Sequence, residues 1–165
     1  MSEQLAIDSV FRHLGTNFAG TLQESMGIEY LEVTPQRVVG RLPVAGNTRS
    51  FGLLHGGASC VFAETLATVG AALHAGPGRL GIGVEINATH HRSVRGGWVR
   101  GVATAVHLGS TLASYGVDLT DDEDRRICTA RVTCILRDRD RTATAPTVSL
   151  GVNEDSPVSA AGRTA

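Results

Sequence analysis

One glutamate, Glu64, stands inside an apolar run from Ala58 to Leu73 that holds no other charged residue. A carboxylate is costly to bury unless it is paired or wet, and burial raises its pKa toward the range useful for proton transfer. Glu64 is therefore the first candidate for a general base or nucleophile. The competing reading is a structural hydrogen-bond partner or a solvent-facing side chain. Thr68, one helical turn further on, shares its face and can bond to it or to a water. Just before the run stands Phe51-Gly52-Leu53-Leu54-His55-Gly56-Gly57. Two glycines at a helix start allow close approach of a ligand. The unpaired N–H groups there, aided by the helix dipole, suit an oxygen that is gaining negative charge. Gly56 N–H is the expected oxyanion donor; a tight turn that needs glycine only for its conformation is the alternative.

Gly56 and Glu64 are eight residues apart, about 12 Å along one helix axis at about 1.5 Å per residue. One helix cannot bring both to the same carbonyl. Two such helices, antiparallel across a two-fold axis, can set Gly56 of one subunit opposite Glu64 of the other, so an interface site is expected. His90 and His91 cannot chelate one ion together, because neighbouring strand residues point to opposite faces; no metal site and no cofactor are expected. Arg92, Arg95 and Arg100, near glycine-containing turns, are candidates for phosphate oxygens or for solvated surface positions. Ser110-Thr111 after Gly109 offers hydroxyls and N–H groups at a turn, suited to a phosphate or to ordinary turn chemistry. No Gly-Lys-Ser loop, Gly-x-Ser-x-Gly elbow or dinucleotide fingerprint occurs, so nucleotide hydrolysis and a serine triad lack support.

These groups need elements to hold them. The run from Ala58 to Leu73 predicts a helix of about four turns at about 3.6 residues each, ended by Gly76-Pro77-Gly78. Upstream, Ile28–Val33 and Arg37–Val44 flank Thr34-Pro35-Gln36 and predict a hairpin. Before it, a helical segment spans 5–26: an amphipathic helix from Ala6 to Leu14, with Leu5, Val10, Phe11 and Leu14 on one side, and a turn from Leu22 to Met26. Downstream, four extended segments are predicted, Gly81–His91, Trp98–Leu108, Leu112–Thr120 and Arg126–Arg137. In the last, Cys128, Ala130, Val132, Cys134 and Leu136 share one face, as a sheet with one buried side requires. Asp121-Asp122-Glu123-Asp124 reads as a solvated hairpin turn. The class is α+β, a helix packed on one face of an antiparallel sheet, in one domain over 1–137. Residues 138–165, with no aromatic side chain, are expected to form a disordered tail.

The 165-residue chain carries 15 Lys and Arg against 16 Asp and Glu, a net charge of -1. That balance offers no electrostatic footprint for nucleic acid or a membrane surface. Three cysteines, an odd number, and no charged-then-apolar leader point to a reducing, cytoplasmic location. The Ala58–Leu73 run is expected to be too short and too interrupted to cross a bilayer.

Taken together, Phe51 to Ser59, Ala63-Glu64-Thr65, Asn87 to His90 with Arg92-Ser93, and His107 to Ser110 resemble the hotdog thioesterases of the phenylacetate-pathway (PaaI-like) type. Within these, the pattern is most similar to the 1,4-dihydroxy-2-naphthoyl-CoA and the Arthrobacter-type 4-hydroxybenzoyl-CoA thioesterases. The resemblance covers roughly Gly27 to Arg137. It implies a hotdog fold, a long helix wrapped by an antiparallel sheet, with dimers joined edge to edge and paired into tetramers. It implies hydrolysis of an acyl-CoA, aromatic rather than long-chain. Glu64 would be nucleophile, through a mixed anhydride, or general base on water. Gly56 N–H would polarise the thioester carbonyl, His55 would be the loop histidine, and Thr68 would help to place the lytic water. His90, His91, Arg92 and Ser93, together with His107, Leu108, Gly109, Ser110, Thr111 and Leu112, would line the CoA arm, with Gly83 nearby.

One departure stands out. Where relatives carry glutamine just before this loop, the chain has Arg49, which can bind the carbonyl as a charged donor, meet a carboxylate on the substrate, or point to solvent. His91 is a second difference. Two other functions stay open: a hotdog module that binds acyl-CoA or a small carboxylate without turnover, and a hotdog enoyl-CoA hydratase, for which the required His and carboxylate spacing is missing.

Overall fold

The structure is a computed structural model that describes residues 3–13 and 18–139. In chain order the elements are α1 (Glu3–His13), α2 (Leu22–Ser25), β1 (Glu29–Val33), β2 (Arg37–Pro43), α3 (Gly56–Ala75), β3 (Arg79–His90), β4 (Trp98–Leu108), β5 (Leu112–Thr120) and β6 (Arg126–Asp138). The six strands form one sheet in the order β1-β2-β4-β5-β6-β3, with every neighbouring pair antiparallel. A long helix wrapped by an antiparallel sheet is the α+β hotdog arrangement.

Seven residues of α3 are buried: Ser59, Phe62, Ala63, Leu66, Ala67, Gly70 and Ala71. Their three- and four-residue spacing is one helical face, and that face lies on the sheet. The sheet receives it through glycines. Gly40 of β2 pairs with Gly101 of β4; a methyl group at Gly101 would collide with Leu66 and Phe62, and one at Gly40 would collide with the Glu29 carbonyl and crowd Leu66. The cross-strand pair is thus a groove for two fully buried side chains, each contributing about 2 kcal/mol of apolar transfer. Below them Gly81 takes the helix backbone at Thr68, and Gly70 leaves room for the Tyr115 ring. The helix is two residues longer at each end than the apolar run predicts. At 20 residues it is long and apolar enough to cross a membrane by length and composition alone, which corrects the expectation that it is too short. Its apolar stripe is used inside the sheet.

The alternation expected for β6 holds: Cys128, Val132, Cys134 and Leu136 are buried, while Arg131 and Arg137 are exposed. The N-terminal helix differs from its predicted pattern. Leu5 is 53% exposed, whereas Ile7 and Phe11, one turn apart, are buried; Leu14 lies outside the described residues. Phe11 is fixed by rings, 4.7 Å from Phe18 and 4.9 Å from Tyr30 between centroids. Asp138, placed at the start of the expected tail, still pairs with Arg79 in the sheet; positions 140–165 lie outside the described residues.

The acidic turn is also corrected. Asp121 is buried and accepts hydrogen bonds from the backbone N–H groups of Glu123 and Arg125 and from the Arg125 guanidinium, at 2.8 to 3.0 Å. Asp122 accepts from the N–H of Trp98, so the turn ties β5 and β6 to the start of β4. Burial pushes the Asp121 carboxyl up, but the hydrogen bonds and charge of Arg125 outweigh it and hold the group below its ordinary value of 3.8. A depressed carboxylate stabilises the folded state above its ordinary pKa and stops doing so as pH falls through the folded value. Asp121→Asn is therefore expected to lower the melting temperature by several degrees at pH 7, with the gap to the native chain closing below about pH 4. Melting curves from pH 3 to 7 check this, and a constant gap would reject the buried-ion role.

Candidate active site

The start of α3 is built by the loop before it. Asn47, buried, donates to the carbonyls of Met26 and Pro43, and its own carbonyl accepts from His55 N–H. Leu54 N–H donates to Val94, Arg49 N–H to Leu53, and Gly52 N–H back to Arg49. These bonds deliver His55 in an extended conformation as the N-cap of α3, where its Nδ1 accepts from Gly57 N–H at 2.8 Å. The accepting nitrogen carries no proton, so in the neutral ring the proton resides on Nε2. Histidine is outside the usual N-cap set, which is why the sequence alone did not reveal this role.

Gly57 N–H is thereby used, and Gly56 N–H has no acceptor among the described residues. A side chain at Gly56 would meet the imidazole of His90, 3.0 Å from its Nε2. Around this amide lies a cleft of about 290 Å³ that brings together Arg49, Gly56, His90, His91, Arg92 and Ser93, all expected site residues. Buried Ser59 and the apolar Leu53, Leu54 and Ile127 also line it; these were not predicted. The rings of the two histidines separate: His90 lies against Gly56, while His91 Nε2 is 2.9 Å from the Thr129 hydroxyl. Arg95 donates to the Phe51 carbonyl. A larger cleft of about 440 Å³ lies between α1 and β1, but none of Arg49, Gly56, Glu64 and His90 lines it.

Glu64 is half-buried and does not line the cleft at Gly56. Its carboxylate lies against Gly83 of β3, where a Cβ would overlap it. Gly83 therefore makes room for the acid and is not part of the cleft. No hydrogen bond or ion pair reaches this carboxylate among the described residues. Its charge is felt by Cys134, whose thiol is pushed up to about 11, first by burial and then by Glu64. Thr68 gives its hydroxyl proton to the Thr65 carbonyl at 3.0 Å, not to Glu64.

The remaining expected residues, His107 to Leu112, form the turn between β4 and β5. Gly109 N–H bonds to Leu112, Arg79 donates to the Ser110 carbonyl, and His74 Nε2 donates to the Gly109 carbonyl at 2.9 Å. Because His74 is in the last turn of α3, this turn lies about 27 Å along the helix from Gly56. A single chain does not bring it to the Gly56 cleft.

Residues 51–128 match the family model described as the Thioesterase superfamily. The proofreading thioesterase EntH of Cronobacter turicensis is 41% identical over 120 residues, spanning 72% of this chain and 88% of that protein. The chain belongs to the thioesterase superfamily. Among solved structures, thioesterase HI1161 from Haemophilus influenzae superposes with a TM-score of 0.71 at 28% identity, covering 76% of this thioesterase and 90% of that chain. The thioesterase enzyme SAV0944 from Staphylococcus aureus does so with a TM-score of 0.68 at 28% identity, covering 70% and 98%. Two structures of it carry alanine at a glutamine and at a glutamate, fifteen residues apart. The enzyme is thus a thioester hydrolase of hotdog fold. Its α3 carries two separate features: an N-terminus with an open amide in a cleft lined by Arg49 and Arg92, and, two turns further along, a carboxylate with no hydrogen-bond or ion-pair partner among the described residues.

Proposed function

We propose that this thioesterase hydrolyses an acyl-CoA, with a preference for aromatic acyl groups, at a site assembled between two subunits. The observation that carries the proposal is the open Gly56 amide and the unpartnered Glu64 carboxylate, both on α3 and about 12 Å apart. Antiparallel pairing of two α3 helices sets the one against the other and supplies what each chain lacks. The same pairing carries the partner's turn 107–112 past the N-terminus of α3, beyond Gly56, where the arm of a bound CoA would run. Edge-to-edge dimerisation has a ready template, since β3 is a 12-residue strand at the end of the sheet, with Ile82 and Val84 exposed on it. An unpaired edge of this kind favours pairing with another chain. A dimer of dimers, a cytoplasmic location and independence from any cofactor belong to the same proposal, as does the closer kinship with naphthoyl- and hydroxybenzoyl-CoA thioesterases.

In the reaction, Gly56 N–H donates to the thioester oxygen, and His90 beside it lines the approach. Glu64 either takes a proton from water as that water adds to the carbonyl carbon, or adds itself and is released by water. The C–S bond breaks and the thiolate leaves with a proton. His55 holds the helix start in place, and Thr68, whose donor is turned to its own helix, can only accept from the water. The spacing of fifteen residues between Arg49 and Glu64 equals that between the glutamine and glutamate altered in the Staphylococcus aureus enzyme, which supports the pairing of those two positions in one site. The test is thiol release from benzoyl-, phenylacetyl-, dihydroxynaphthoyl- and medium-chain acyl-CoA. Turnover led by the aromatic esters is expected. Binding without release from any of them would reject hydrolysis of CoA esters.

A further inference from the structure

We propose that Arg49 makes this a site for acyl groups that carry a carboxylate. The assignment rests on the acyl-CoA hydrolysis proposed above and specifies its substrate class. Arg37, Arg41, Arg79, Arg125, Arg126 and Arg131 each sit on a carboxylate. Arg49 has no such partner among the described residues, and neither have Arg92, Arg95, Arg100 and Arg137; of these Arg49 and Arg92 line the cleft at Gly56. Its guanidinium carbon lies 5.3 Å from the centroid of the Phe51 ring, a ring that is itself 69% exposed. A planar cation resting on an aromatic face keeps its in-plane N–H fork free for a bidentate anion.

The cleft that Arg49 enters strengthens the point. Arg49, Arg92, His90 and His91 line it, and no aspartate or glutamate does. Such a cleft attracts an anion before any contact forms. That anion is not the phosphate end of CoA. Gly56 lines the same cleft, and about 290 Å³ is near the lower end of small-ligand sites. It has room for an acyl group around the carbonyl, while the nucleotide lies at the far end of the pantetheine arm. A neutral amide is chemically enough to donate to an uncharged carbonyl. Within one chain no carboxylate of the cleft answers the full charge of Arg49, and an acyl carboxylate can do so.

Arginine and lysine differ here in geometry as well as in pKa, because only the guanidinium forms two parallel bonds to a carboxylate. The experiment compares kcat/KM within two matched pairs, succinyl-CoA against butyryl-CoA and 4-carboxybenzoyl-CoA against 4-methylbenzoyl-CoA. Native enzyme, Arg49→Gln and Arg49→Lys are each assayed. The native enzyme is expected to favour the charged member of each pair, and Arg49→Gln to cut that ratio by about 10- to 100-fold, mostly through KM. Arg49→Lys should keep part of it. Equal losses on both members would make Arg49 a carbonyl donor and overturn the assignment, as would a native preference for the neutral esters. Neutral esters turned over without gain for the charged ones would defeat this assignment alone. No thiol release from any ester would defeat the acyl-CoA reading and this assignment with it.

Discussion

Glu64→Gln is expected to lower kcat by about a thousandfold with an unchanged melting temperature. Glutamine keeps the volume and shape of the half-buried side chain, and no hydrogen bond or ion pair within the described chain is lost with the charge. The amide can neither take a proton from water nor add to a carbonyl, so the loss falls on the chemical step. A structural role predicts the reverse, a drop in stability with activity retained. The variant also reports on its own charge state, since the Cys134 thiol, raised by burial and then by Glu64, should titrate at lower pH once that charge is gone. Steady-state kinetics and a melting curve on one preparation decide the matter. More than a tenth of the native kcat would remove Glu64 from the mechanism.

Gly83→Ala is expected to reduce kcat by about a hundredfold while leaving the fold intact. The added methyl group would occupy the place of the Glu64 carboxylate. What it displaces is the end of a flexible side chain, not backbone, so the strain is relieved by swinging the acid aside at little cost in stability. Displacement of a catalytic group by about 1 Å costs rate on that scale. The double variant Gly83→Ala, Glu64→Gln should be no slower than Glu64→Gln alone, because both changes act on one group. Additive losses would show that Gly83 serves some other purpose.

Much of this arrangement is legible from the chain, for identifiable reasons. A long, largely apolar run with a single acid marks α3 and Glu64, and alternation marks β6, because both periodicities are local. Gly56 and Gly57 are read from the chain as a helix start, and the His55 cap shows how two such permissive residues begin one. Gly40 and Gly101 are unremarkable in sequence. Their role as the groove for Phe62 and Leu66 arises from the pairing of β2 with β4, two strands far apart along the chain. Asp121 sits among three other acidic residues with nothing local to distinguish it, and its burial follows from the path of Arg125. Likewise the bond from His74 to Gly109 joins residues 35 positions apart, a separation that no periodicity reports. The two-helix reading of the site follows from arithmetic on eight residues, and the fold adds that the 107–112 turn belongs at the opposite end.

Glu64 leans on β3, and β3 is also one of the two strands at the ends of the sheet. In the proposed pairing, the element that recruits a second subunit is thus the one that props up the acid donated to it. In that pairing a newly made chain would carry half of each of two sites and stay silent until it met another, so assembly itself would be the step that switches hydrolysis on.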